Sequence, residues 1–169
     1  DAGYKVIIIL TGTTENLRRQ TQERLDAEFS GRKSQYFLDP KQPIGNNIVG
    51  VGKYGHEKQI SAFTSVTSDF NKNTLKTLNL SLHNVKTTVL FVVKKNKSVL
   101  NNLISWIERD TLKSAGFIDL PMLLIDDEAD NASVDTKKQS ENPTAINDAI
   151  RKLLKLFRQA SYLGITATP

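Results

Sequence analysis

The chain has no cysteine among its 169 residues. That excludes a disulfide-stapled scaffold and any cysteine-ligated zinc or iron–sulfur site. Histidine occurs only as His56 and His83, too few and too separated to argue for a metal cluster or a general base. Long apolar runs are also missing. The longest cover residues 6–10 and 89–93, far short of the ~20 residues that span a bilayer. No charged-then-apolar signal segment opens the chain, and Asp1 stands where an initiator methionine would be. With 38% hydrophobic and 24% charged residues, the composition is that of a globular domain able to bury a real core. The balance of 23 basic to 18 acidic residues, a net +5, permits a nucleic-acid partner without requiring one. A cytoplasmic location with no membrane partner is the expectation.

Apolar runs that do not alternate suit strands buried on both faces of a parallel sheet. Residues 6–10, 87–93, 122–125 and 162–165 form such runs. Helices are expected between them. One covers about 15–29, with Leu17, Leu25 and Phe29 on its inner face. A second is capped by Ser98 and carries Leu100, Leu103, Ile104 and Ile107, with Trp106 as partial core. A third opens at Pro143 and buries Ile146, Ile150, Leu153 and Phe157. Gly3 reads as the left-handed residue closing a helix that lies upstream of Asp1. Residues 30–86 carry weaker signals, suiting short strands or turns and one helix. The polar stretch 131–142 is expected to be a mobile loop. Strands alternating with helices predict an α/β fold with at least three parallel strands.

In such a sheet ligands bind beyond the carboxyl ends of the strands. Three runs end in chemically capable residues: Thr11-Gly12-Thr13-Thr14, Asp126-Asp127-Glu128-Ala129-Asp130 and Thr166-Ala167-Thr168. Paired carboxylates after a buried strand suit magnesium held through one acid and its waters. The neighbouring acid can then orient a water for attack on a phosphate. Asp127 is the candidate metal-linked carboxylate and Glu128 the candidate water-positioning one. A lone Asp-Glu pair at a wet strand end is commonplace; Asp-Glu-Ala-Asp after four apolar residues is far rarer. Arg18 and Arg19, at the start of the first helix, can add charge-assisted phosphate contacts to its free N–H groups. Lys94 and Lys95, leaving a strand end, can reach a phosphate backbone or simply keep the surface wet.

These residues carry a resemblance. Leu-Leu-Ile-Asp-Asp-Glu-Ala-Asp at 123–130 resembles motif II of the superfamily 2 DEAD-box helicases and translocases, and Thr166-Ala167-Thr168 resembles their motif III. Residues 13–20 are similar to motif Ia, keeping its threonine, leucine and glutamine and departing at its proline, arginine and alanine. Residues 17–21, 92–96, 126–133 and 162–169 together resemble the Z-one domain (letter Z, numeral one). That helicase-like family is described as endonucleases of large bacterial restriction or phage-defence proteins. The resemblance implies a RecA-like first motor domain, a three-layer sandwich on a mostly parallel sheet. It implies ATP and Mg2+ as cofactors of the intact larger protein, neither being expected to bind this chain tightly by itself, with Asp127 and Glu128 in the ATPase site. Asp130, Thr166 and Thr168 would couple that site to nucleic acid, DNA above all. The contacts would come from Thr13, Thr14, Asn16, Arg18, Arg19 and Gln20.

Two motifs are matched only in form. Gly50-Val51-Gly52-Lys53-Tyr54-Gly55 fits G-x-G-x-x-G, but no helical pattern follows, so a glycine-rich loop is expected rather than a dinucleotide site. It is no phosphate loop either, since Tyr54 stands where Ser or Thr must hold magnesium. No G-x-x-x-x-G-K-[ST] occurs anywhere. In the family order that loop precedes the first strand. The expectation is therefore a partial motor domain from a larger protein, without its phosphate-loop strand and helix and inactive alone, its flanking domains being partners. Two alternatives stand beside the motor: a RecA-like binding module without catalysis, and a metal-dependent endonuclease built on residues 126–130. For the latter, Glu-x-Lys is absent, and Asp135-Thr136-Lys137 falls in the expected loop.

Overall fold

The unbroken apolar runs are all strands of one sheet. In a computed structural model that describes residues 3–39, 41, 47–111, 116–129 and 143–166, β1 (Val6–Thr11), β2 (Ile60–Ala62), β3 (Thr88–Lys94), β4 (Met122–Asp127) and β5 (Ala160–Ile165) lie in the order β2-β3-β1-β4-β5. Every pairing is parallel. In register, Ile8 sits between Phe91 and Leu124. The fold is α/β, with helices on both faces of the sheet, as the strand pattern predicts. Asp130, the segment 131–142 with Asp135-Thr136-Lys137, and residues 167–169 with Thr168 lie outside the described residues.

Five helices connect the strands: α1 (Glu15–Leu25), α2 (Gln35–Leu38), α3 (Lys72–Thr77), α4 (Lys97–Thr111) and α5 (Pro143–Lys155). Because strand side chains alternate between faces, Val6, Ile8, Leu10, Phe91 and Leu124 point one way and meet Leu100, Leu103 and Ile104 of α4 and Ile150 and Leu153 of α5. The opposite face presents Ile9, Leu90 and Val92 to Leu25 of α1. Phe63, Phe70, Phe91 and Trp106 lock the larger core, with ring centroids 5.4–6.0 Å apart, edge to face except for the tilted Phe70–Phe91 pair. Trp106 is thus full core, 3% exposed, and not partial.

Local chemistry shifts several boundaries. α4 starts one residue before Ser98, because the Asn96 side chain, not that of Ser98, accepts the Val99 N–H at 3.1 Å. α1 ends earlier than the pattern suggests and passes into a π turn at Asp26–Ser30, closed by left-handed Gly31. Leu17 faces outward, 37% exposed, so the inner face of α1 is not the expected Leu17-Leu25-Phe29 stripe. The glycine-rich motif is a 3-10 turn, Gly50–Tyr54, and its glycines serve close packing. A Cβ on Gly50 would fall 1.9 Å from the Ala27 carbonyl oxygen, and one on Gly52 would fall 2.1 Å from that of Gly31.

A buried polar network ties α1 to its surroundings. Gln22 donates to Asp26 (3.0 Å) and accepts from Thr64 (2.9 Å), and the Asp26 carboxylate also accepts from the backbone and hydroxyl of Ser34, both at 2.8 Å. Burial raises the Asp26 pKa above its ordinary 3.8 despite these donors, and burial likewise raises Asp69. An acid with a raised folded-state pKa favours the folded state below its unfolded pKa and loses that contribution as pH climbs through the raised value. The stability of Asp26→Asn relative to the parent is therefore expected to improve from about pH 4 towards neutrality. Urea titrations at several pH values check this; a constant difference would show that Asp26 does not titrate with folding.

Candidate active site at the strand ends

The crossovers leave β1 and β4 in opposite directions. From β1 the chain passes through α1, on one face, to the β2 side of the sheet. From β4 it passes through α5, on the other face, to β5. Their carboxyl ends therefore flank the topological switch point, where an open α/β sheet forms its ligand crevice. Thr11-Gly12-Thr13 leaves β1 there and Asp126-Asp127-Glu128 ends β4 beside it.

The three successive acids do different things. Asp126 belongs to the core, 3% exposed. One of its carboxylate oxygens lies 2.5 Å from Lys95 Nζ, and the other accepts the Tyr162 hydroxyl at 2.9 Å. Burial, then that bond and the carboxylate's charge, push the Tyr162 pKa up to about 12. Asp127 points to the opposite face and is half-buried. Glu128 adopts a left-handed backbone, φ 58°, which costs a residue with a Cβ about 1–3 kcal/mol. Its carboxylate lies over Gly12. A Cβ at Gly12 would stand 2.7 Å from both Glu128 Oε2 and Leu17 Cδ1, so a side chain there would push these two side-chain ends aside.

Asp127 and Glu128 line one cleft of about 560 Å³, with Gly12, Gln20 and Arg24 among its walls. Thr14 caps α1, accepting the Leu17 N–H at 3.4 Å. Thr13, Thr14, Asn16, Arg19 and Gln20 are exposed, and of these Gln20 lines the cleft. Thr166, just past β5, is exposed too.

Two cations, Arg18 and Lys95, leave the expected phosphate-contacting set, and Lys94 is engaged in an ion pair while partly exposed. Arg18 is wholly buried. Its guanidinium donates to the carbonyls of Ser65 (2.8 Å) and Val66 (3.1 Å) and to Glu15 (2.8 Å), which occupies its fork inside the protein. Lys94 pairs with Glu15 at 3.0 Å and approaches Asp69 at 3.8 Å. Burial alone would raise the Glu15 pKa, but Arg18 and Lys94 outweigh it and hold the carboxyl below its ordinary value. Lys95 is 3% exposed and turned to the acid turn. Helical position places Arg18 at the rim, but helix orientation turns it inward.

The donor set decides which metal the cleft suits. Among the described residues no group of three or more His, Cys, Asp or Glu side chains is placed to hold a metal ion. Four carboxylates line the cleft, Glu23 and Glu28 on the α1 side and Asp127 and Glu128 at the strand end. With no three of them gathered, they suit magnesium that keeps its waters and takes further oxygens from a substrate phosphate, not an all-protein cage. Among the described residues no helix is long and apolar enough to cross a membrane.

No protein-family model, curated protein or solved structure matches the chain.

Proposed function

We propose that this chain carries the hydrolytic half of an ATP site in a nucleic-acid translocase of the helicase type, acting on DNA in bacterial restriction or defence. The observation that carries the reading is the placement of Asp127 and Glu128 at the switch-point end of β4, facing one cleft, while Asp126 is held in the core. In this reading Asp127 holds Mg2+ through its water shell. Bound there, the ion would supply charge stabilisation to the transferring phosphoryl group. Glu128 orients the attacking water and takes its proton. Arg19, Asn16 and Gln20, exposed at the start of α1, take the nucleic-acid backbone, with Thr13 and Thr14. This sequence has no phosphate loop, so in this reading the chain does not itself supply the phosphate grip. Asp130, Thr166 and Thr168 keep the coupling role that the resemblance implies.

The endonuclease alternative requires residues 126–130 to act as a joint ligand set. Asp126 is engaged by Lys95 and Tyr162, which disfavours it as a ligand and leaves Asp127 and Glu128 to carry that alternative among the described residues.

The test is made in the longer protein that this reading requires. Asp127→Ala and Glu128→Gln are each expected to retain nucleic-acid binding and to lose ATP turnover by about 10²–10⁴-fold. Turnover unchanged in both would sink the assignment. Nucleic-acid binding by the parent with no turnover at all would favour the non-catalytic binding module.

A further inference from the structure

We infer that Lys95 is the positioning residue of the acid turn: its ammonium holds the backbone from which Asp127 and Glu128 project. The inference rests on the reading of those two acids as the functional pair, but its geometry is independent of what they act on.

Lys95 follows the last residue of β3, and its own N–H reaches the Thr11 carbonyl of β1 at 3.2 Å. From there its side chain crosses the end of β1 to the end of β4, so one residue links three adjacent strands. Its ammonium meets three oxygens: Asp126 Oδ1 at 2.5 Å, the Asp127 carbonyl at 3.0 Å and the Glu128 carbonyl at 2.8 Å. Two of these contacts are hydrogen bonds to the carbonyls and the third is an ion pair, so the ammonium is engaged by this turn. The two carbonyls belong to the residues at which the backbone leaves β4 and enters the left-handed conformation of Glu128. A strained residue persists only where its surroundings over-determine it, and Lys95 is the group that grips both sides of that residue's peptide link. Asp126 balances the charge so that the cation can stay buried, and Tyr162 occupies the other carboxylate oxygen. Neither touches the cleft wall that Asp127 and Glu128 form.

Two pairs of changes separate positioning from mere stability. Lys95→Met with Asp126→Leu removes the buried pair together, a replacement that often leaves stability unchanged. Asp126→Asn removes the counter-charge but leaves Lys95 an amide oxygen and the two carbonyls to donate to. Two measurements are made on each: the Glu128 backbone by NMR scalar couplings and carbon shifts, and Mn2+ affinity by paramagnetic relaxation. Asp126→Asn should keep the positive φ of Glu128 and the parent's affinity for Mn2+. The double variant should lose the positive φ and bind Mn2+ about 10–100-fold more weakly, as loss of an outer-shell partner does. A double variant in which Glu128 keeps its conformation overturns the inference, whatever its stability. Absence of Mn2+ binding by the parent itself would count against the reading of the cleft; the Glu128 backbone would still decide the role of Lys95. If the double variant does not fold, Lys95→Gln, one bond shorter and uncharged, is judged on the same two measurements.

Discussion

Replacing Asp126 by alanine is expected to lower the unfolding free energy by about 3–5 kcal/mol, the usual cost of stripping one partner from a buried ion pair. Among the described residues the carboxylate is the one charge paired with Lys95, and both side chains are about 95% or more removed from solvent. Without it the ammonium keeps two carbonyl dipoles but no counter-charge, and the Tyr162 hydroxyl loses its acceptor. The neighbouring Asp127→Ala, at a half-buried cleft position, should stay within about 0.5 kcal/mol of the parent. Urea denaturation followed by circular dichroism checks both. Equal costs at the two positions would mean that the pair contributes nothing beyond a surface acid, and would also remove the ground for separating a held acid from two working ones.

Arg18→Ala should cost about 3 kcal/mol, which for a chain of this size lowers Tm by about 6–12 °C. Most of that loss comes from the buried carbonyls of Ser65 and Val66, which no longer have a charged donor. The rest is packing lost with the arginine stem. Little is assigned to Glu15, whose side chain is 44% exposed and therefore well screened. Arg18→Lys recovers only part, since a point ammonium cannot reproduce the fork that reaches two carbonyls and a carboxylate. Arg19→Ala, one residue on and exposed, should leave Tm unchanged. Thermal melts of the three variants decide the matter; equal melting of Arg18→Ala and Arg19→Ala would contradict the buried geometry.

Three strands were legible because their apolar runs suit a sheet covered on both faces; the run at 162–165 is also a strand, but β5 lies at the sheet edge and is mostly exposed, not buried. Val89–Val93 without a polar interruption has no exposed side to offer, and β3 is indeed buried through its centre. The three-residue β2 was not legible, since its membership rests on pairing with β3 and not on its own pattern. Nor was the network around Asp26, where Gln22, Ser34 and Thr64 are residue types that normally mark surface. The acid turn was legible as chemistry, but the division of labour within it was not. Asp126 and Asp127 are adjacent and identical in type, and only strand alternation separates a core residue from a cleft residue. The misassigned cations share one cause. A charge beside a candidate site reads as a ligand contact, whereas Arg18 and Lys95 are fully occupied by oxygens that sequence places 47 and 32 residues away.

The aromatic packing of the core has a practical corollary. The chain contains one tryptophan, and that indole is enclosed by phenyl rings from β3 and from the segments that follow β2. Its emission therefore comes from a single dry site that joins α4 to the sheet. Variants that loosen the fold, such as those at Asp126 and Arg18, should shift its spectrum to the red at lower denaturant. Changes confined to the cleft should leave it where it is. The molecule carries its own unlabelled gauge for telling a damaged scaffold from a damaged site.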